Sequence, residues 1–453
     1  MDKSNSYLGT ESVGKLLLKL SIPSVVAQII NMLYNVVDRI YIGHIPESGS
    51  LALTGLGVCA PVLFIISALA ALFYFGSSAK ASMSMGRGDY DEAEKIMGNS
   101  FVLLIAVSLI VTVLTLVFAR PLLLSFGASD ETIGYALGYI RIYAVGTVFV
   151  SLTLGMNSFI TAQGFAKTSM LTVMIGAVCN IALDPLFIYA FKMGVQGAAL
   201  ATIISQAVSM IWCLAFLTGK RTQLRLRRRN FRLDRKLMAP CIALGISPCV
   251  MQSTEGFINI CFNSSLLKYG GNLAVGAMTI LSTVMQCVFL VLTGLTQGAQ
   301  PIISYNFGAH NAERVRKTFG ILLRICFGFT LVVCAFLELF PSVVVSAMTS
   351  NQELRDYASW ALRIYFATFC VFGIQSACQN TFVGIGNAKS SVFVAVLRKI
   401  ILLIPLIYIL PHFFENKAMA VFLAEPVADI ISVITAATLF SFQFRKAMDR
   451  ISQ

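Results

Sequence analysis

Apolar runs of about twenty residues or more, separated by short polar, glycine-bearing or proline-bearing breaks, recur along the whole chain. A helix needs about 20 residues to cross a hydrocarbon core of about 30 Å. The runs therefore predict membrane-spanning helices at roughly 16–42, 51–80, 96–118, 133–162, 168–190, 195–218, 239–268, 273–303, 317–340, 355–384, 390–411 and 416–442. The expected fold class is an all-α polytopic membrane protein with twelve transmembrane helices. The opening segment MDKSNSYLGTESVGK is polar, and the run after it is long and has no small-residue cleavage site, so no cleavable signal peptide is expected.

Charge then orients the spans. Odd-to-even connections hold few basic residues: Arg120, Lys192, Lys268, Arg355 and Lys417. Most of the rest, including Arg87, Lys167, Arg314, Arg316, Lys317, Lys389, Arg445 and Lys446, fall in even-to-odd connections or near the ends. The positive-inside rule places both termini in the cytoplasm and the chain in a cell (inner) membrane.

The two halves also match each other at a constant shift of 222 positions. Leu51-Ala52 pairs with Leu273-Ala274, Gly86 with Gly308, Glu131 with Glu353, Arg141 with Arg363 and Tyr143 with Tyr365. QGFAKTS likewise aligns with IGNAKSS. An even number of spans per repeat means both halves enter from the same side, as two six-helix bundles related by a pseudo-two-fold axis along the membrane normal. The expected division is an amino-terminal bundle at 1–218, a basic cytoplasmic linker at 219–238 and a carboxy-terminal bundle at 239–453.

Composition narrows the function classes. Hydrophobic residues make up 57% and charged residues 12%, against about 25% charged in an ordinary soluble domain. The net charge of +13 does not point to nucleic acid, because nine basic residues sit in the one loop GKRTQLRLRRRNFRLDRK. Contact with anionic lipid suits such a loop better. The eleven cysteines are scattered without metal-ligand spacing, and His44, His310 and His412 fall in loops. No nucleophile–base pair and no P-loop appears, so neither an enzyme nor an ATP-driven pump is expected, and no cofactor beyond a coupling ion.

Against this background three acids stand inside apolar stretches: Asp38, Asp184 and Glu255. A carboxylate in hydrocarbon costs roughly 2.5–3.5 kcal/mol and is usually kept for an ion, proton or substrate. Asn180 and Asp184 lie four apart on one helix face. Pro185 follows and frees the Ile181 carbonyl. One turn thus offers a carboxylate, a carboxamide and a carbonyl, suited to a hard monovalent cation or a proton. Asp38 and Thr202 supply further oxygens if their helices pack alongside. A structural reading stays open: Asp184 capping the proline kink, and Asp38 pairing with Arg39.

The second-to-third connections MGRGDYDEAEKI and NFGAHNAERVRK, with PLLLSFGAS, QGFAKTS and NIALDPLFIY, together resemble the multidrug and toxic compound extrusion (MATE) family over essentially the whole chain. The resemblance implies alternating access by rocking bundles and efflux of organic compounds. It also implies a prokaryotic-type cation site at the positions of Asp38, Asn180, Asp184 and Thr202. Another branch uses an acid on the seventh helix, where Glu255 lies, together with one on the tenth, which this chain lacks. For Glu255 a proton, a cationic substrate and a buried structural role all remain open. Glu425 and Asp429 form an i, i+4 pair with Arg363 and Arg398 in opposing bands, which suits a buried salt-bridged network as well as transport chemistry.

Intramembrane polar groups at Gln28, Asn31, Tyr34, Asn35, Asn157, Gln252 and Asn259 are candidates for the substrate cleft. Met32, Met156, Met251 and Met285 are side chains able to repack around unlike ligands. The expected function is a monomeric secondary active exporter of cationic or amphipathic organic compounds, exchanging them for Na⁺ or H⁺. The alternative is a lipid-linked precursor flippase of the same superfamily, for which two extra helices and cationic cavity residues are expected.

Overall fold

The computed structural model describes residues 7–46 and 48–452, and no β-strand occurs among them. Ten helices are long and apolar enough to cross a membrane, or eleven if one bent pair counts as a span. We number the spans α1 (Val13–Gly43), α2 (Gly49–Gly86), α3 (Tyr90–Ser125), α4 (Ile133–Ala162), α5 (Ala166–Ala190) and α6 (Val195–Thr218). The helix Arg235–Gly308 has 74 residues, about 110 Å at 1.5 Å per residue, far longer than one crossing. It breaks at Gly271, whose φ of 65° and ψ of −162° suit glycine alone. It therefore supplies two spans, α7 (235–270) and α8 (272–308). The remainder are α9 (Ala312–Leu339), α10 (Gln352–Phe366 with Phe369–Gly384, bent by 48°), α11 (Ala388–His412) and α12 (Lys417–Ser452). Twelve spans thus stand where the apolar runs placed them.

Local chemistry explains several boundaries. Asp89 caps α3 by accepting from Glu92 N, and Asn311 caps α9 by accepting from Arg314 N. These caps occupy positions 222 apart. Along α3 the side chains Leu109, Ile110, Val113, Leu114, Val117 and Phe118 are exposed. Water would not tolerate so dense an apolar band, and lipid does.

The halves meet along a seam at the membrane face that carries both chain ends. There the backbones touch through glycine: a methyl on Gly86 would lie 1.9 Å from Tyr305 O, and one on Gly308 would lie 1.9 Å from Met83 O. Positions 83 and 305, like 86 and 308, are 222 apart, so the two contacts are images of each other about the pseudo-two-fold axis. Gly245 packs equally tightly on Leu72 O, and Gly298 lies against Ser21, where a methyl would come within 2.4 Å. Ser21 Oγ donates to Leu295 O (3.1 Å), and Gln28 Nε2 to Gln297 Oε1 (3.1 Å). The short helix Tyr7–Thr10 fastens both halves: the Tyr7 hydroxyl donates to Gly164 O, while Asn306 Nδ2 and Arg314 Nη2 donate to Leu8 O. The buried apolar side chains follow this geometry. One cluster unites the second half with the seam side of the first, whereas Ile42, Leu56, Val62, Leu123, Ile140 and their neighbours form a separate core within the first half.

The basic loop between α6 and α7 is held rather than free. Gln163 Oε1 accepts from Thr222 Oγ1, Gln223 N and Leu224 N at 2.8–2.9 Å. Buried Glu94 accepts from Arg225 N (3.1 Å) and pairs with Arg227 (3.3 Å).

Candidate ion and substrate sites

Helices α1 and α5 pack along each other, and this brings Asp38 and Asp184 face to face within hydrogen-bonding reach. Asn180, one turn before Asp184, donates through Nδ2 to Asp184 Oδ1 (3.3 Å). All three residues are buried. After Pro185 the helix continues as a π-helical turn, Leu186–Ala190, the widening that a lost backbone hydrogen bond permits. Three oxygens are left buried without a partner: Asp38 Oδ1, Asn180 Oδ1 and Asp184 Oδ2. Two carboxylates in contact repel unless a proton or cation lies between them. Thr202, on α6, donates its hydroxyl to Ala198 O in its own helix (3.0 Å), leaving its lone pairs as what it can offer an ion. Tyr139 lies close enough to Asp38 to sense its charge and stacks on Tyr143 with centroids 5.9 Å apart. Neither tyrosine was singled out from the sequence as part of this site, although Tyr143 belongs to the 222-residue register.

One turn from the acid pair opens a cavity of about 1160 Å³, its mouth included. Gln28, Asn31 and Tyr34, at helical spacing on α1, line it together with Asn157 of α4. Gln297 and Gln300 reach it from the other half. Asn35 instead turns away from its lining, is exposed, and donates to Asn31 O (2.6 Å). Tyr34 stands one turn before Asp38, and Gly176 and Ala177 one turn before Asn180, so cavity and acid pair share the walls of α1 and α5.

The second half repeats the cavity with different chemistry. Its lining includes Gln252, Gln375, Gln379, Asn380, Arg398 and Lys399. Under the 222 shift Thr153 corresponds to Gln375, Asn157 to Gln379 and Val173 to Ala395, all of them lining residues. Where the first cavity has Gly176 and Ala177, the second has Arg398 and Lys399. Arg398 is buried between two acids of α12, with Nε 2.7 Å from Asp429 Oδ1 and Nη2 2.7 Å from Glu425 Oε1. Its guanidinium lies 4.6 Å from the centre of the Phe372 ring. Lys399 Nζ pairs with Glu255 at 2.6 Å. Of the open readings for Glu425 and Asp429, the salt-bridged one is what the geometry displays. Arg363 takes no part in that network and donates instead to Glu338 O (3.2 Å). Asn259 ties α7 to α8, donating to Glu255 O and accepting from Ser282 Oγ (3.4 Å). Lys399 was not among the residues expected at this site, yet a lysine in the run SVFVAVLRKIILLIPLIYIL is as costly there as a carboxylate.

The MatE family model matches the chain twice, at residues 23–186 and 248–409. The chain belongs to the MATE family. The double match covers most of both halves and falls in nearly the same register as the internal repeat. Relatives include the multidrug export protein MepA of Staphylococcus aureus, 25% identical over 414 residues, which cover 91% of this chain and 90% of that protein. MepA of Staphylococcus haemolyticus is 23% identical over 454 residues, covering 100% and 98%. Among solved structures, a MATE protein in a bent conformation superposes with a TM-score of 0.92 at 23% identity over the full length of both chains. A transporter of the wider superfamily from Pyrococcus furiosus, described as having a binding pocket of reversed polarity, gives 0.90 at 23% identity, covering 98% of each chain. These structures share the MATE fold with this chain.

Proposed function

We propose that the chain is a secondary active multidrug exporter of a cell membrane, both termini cytoplasmic, exchanging organic compounds for inward-moving Na⁺ or H⁺. The observation that carries this reading is the trio of unpartnered buried oxygens on Asp38, Asn180 and Asp184, one turn from an uncharged, polar-lined cavity. A cation or proton there relieves the repulsion of the two acids and draws α1 and α5 together, while its departure restores it. That difference favours one arrangement of the halves over the other, which is what coupling requires. The seam closes the terminal face, so in this orientation the cleft faces outside, the state that releases compound and takes up the ion. The family match and the MepA relatives support export of small organic molecules. The reading needs no cofactor beyond the ion and no second subunit, and it divides the chain at 1–218 and 239–453 with 219–238 as the linker.

The test is efflux from proteoliposomes under separately imposed Na⁺ and pH gradients, in wild type and Asp184→Asn. The substitution preserves size and removes the ionisable group. Gradient-driven export should disappear in well-inserted Asp184→Asn protein, and its persistence would overturn the site. The lipid-linked precursor flippase is the second reading, and the observation favouring it is the pair Arg398 and Lys399 in a cavity wall. It requires transport without either gradient.

A further inference from the structure

From the second cavity we infer that it is a binding site for the anionic group of an amphipathic organic molecule, a carboxylate held by Arg398 Nη1 and Lys399 Nζ. This goes beyond the export reading, which concerns the acids of the first half, and its test uses binding without any gradient, so either can fail alone.

Arg398 is 2% exposed, and two of its three nitrogens are engaged by Glu425 and Asp429. The third, Nη1, is buried with no acceptor. An unsatisfied charged donor is costly, and an acceptor that reaches it through the cavity recovers that cost. Lys399 lies beside it in the π-helical turn Leu397–Leu403, which directs two successive basic side chains into one wall. The paired acids Glu425 and Asp429 do not belong to that lining, so a ligand meets the donors first. Phe289, Leu292 and Phe372 supply an apolar surface for the rest of the molecule. Lys399 has one carboxylate partner, Glu255, whose side chain is 44% exposed. Glu255 can therefore release Lys399 to a ligand carboxylate and be hydrated in the cleft. Two bases face three acids before and after this exchange, because one acid moves to water as another arrives.

The experiment is calorimetric titration of the full-length protein in uncharged detergent with 1-naphthoate, 1-naphthylmethylammonium and 1-naphthalenemethanol, which share one ring system. Naphthoate should bind at least tenfold more tightly than the other two. Arg398→Lys retains a positive charge for Glu425 and Asp429 but removes the free nitrogen, and it should lose that preference. Glu255→Gln removes the competitor for Lys399 and should tighten naphthoate several-fold; a site for cations would instead lose affinity for the ammonium probe. Equal binding of the three probes, or weaker naphthoate binding by Glu255→Gln, would overturn the inference. Competition by phosphatidylglycerol but not phosphatidylcholine in mixed micelles assigns the same donors to a lipid headgroup, and absence of competition assigns them to a soluble carboxylate.

Discussion

The two cavities are built on one register and differ at their walls. At positions 176 and 177 the first half has glycine and alanine; at the matching positions 398 and 399 the second half has arginine and lysine. The first half then keeps its charges one turn away, as an acid pair with unpartnered oxygens. The second places charges of both signs in contact, with ion-pair distances of 2.6–2.7 Å. A duplicated scaffold has thus diverged into one site without a basic side chain in its wall and one with two. On the proposed function, only the first would gain directly from an ion supplied by a gradient.

This contrast can be broken by exchanging the walls. Gly176→Arg should give the largest effect, because its Cβ would lie 2.5 Å from Ser209 Oγ and Ile203 and Ala207 stand where Glu425 and Asp429 would be needed. An unpaired buried guanidinium costs at least about 3–5 kcal/mol, a large part of a typical stability of about 5–15 kcal/mol. Loss of the monodisperse peak on size exclusion checks it, and Ile203→Glu in the same chain should restore part of the yield. Next is Arg398→Met, which strands two buried acids at a cost of about 3–5 kcal/mol in thermal unfolding. Adding Glu425→Leu and Asp429→Leu should recover most of that loss, since an apolar replacement of a whole buried network is often neutral. The Lys399–Glu255 pair should be asymmetric. Glu255→Gln strands a buried lysine at roughly 2–3 kcal/mol, whereas Lys399→Gln leaves a carboxylate that water can reach, at about 1 kcal/mol. Smallest is Asp184→Asn, expected within about 1 kcal/mol of wild type, because the amide oxygen can still accept from Asn180 and relief of the acid–acid repulsion offsets any loss of packing. A large drop in its unfolding midpoint would mean that the acid pair is structural.

Much of this was legible in the chain because lipid simplifies the code. Every span must satisfy its backbone internally, so apolar length alone locates α1–α12, and Pro185 with Asn180 and Asp184 marks a candidate turn by helical spacing. Three features were hidden for different reasons. The break at Gly271 lies in YGGN between two apolar runs, and the sequence indicates a gap there without showing that one nearly continuous helical path crosses it. Tyr139 approaches Asp38, with Tyr143 stacked on it, only through the packing of α4 on its neighbours. Lys399 is a rare intramembrane base, but its partner Glu255 on α7 is 144 residues away. Chain separation of that kind carries no local signal.

The reciprocal contacts of Gly86 on Tyr305 and Gly308 on Met83 have a practical consequence. At these two points backbone meets backbone, with a glycine on one side of each contact. The closed seam is then limited by volume, and a single methyl acts as a wedge. A penalty of about 2–3 kcal/mol on the closed form shifts the ratio of the two orientations by roughly 30- to 150-fold. Because the contacts are mirrored, alanine at either glycine should act in the same direction, and alanine at both should compound. The pair is therefore a ready handle for holding the transporter open toward the face that carries its termini, the state that an inhibitor arriving from that side would have to recognise.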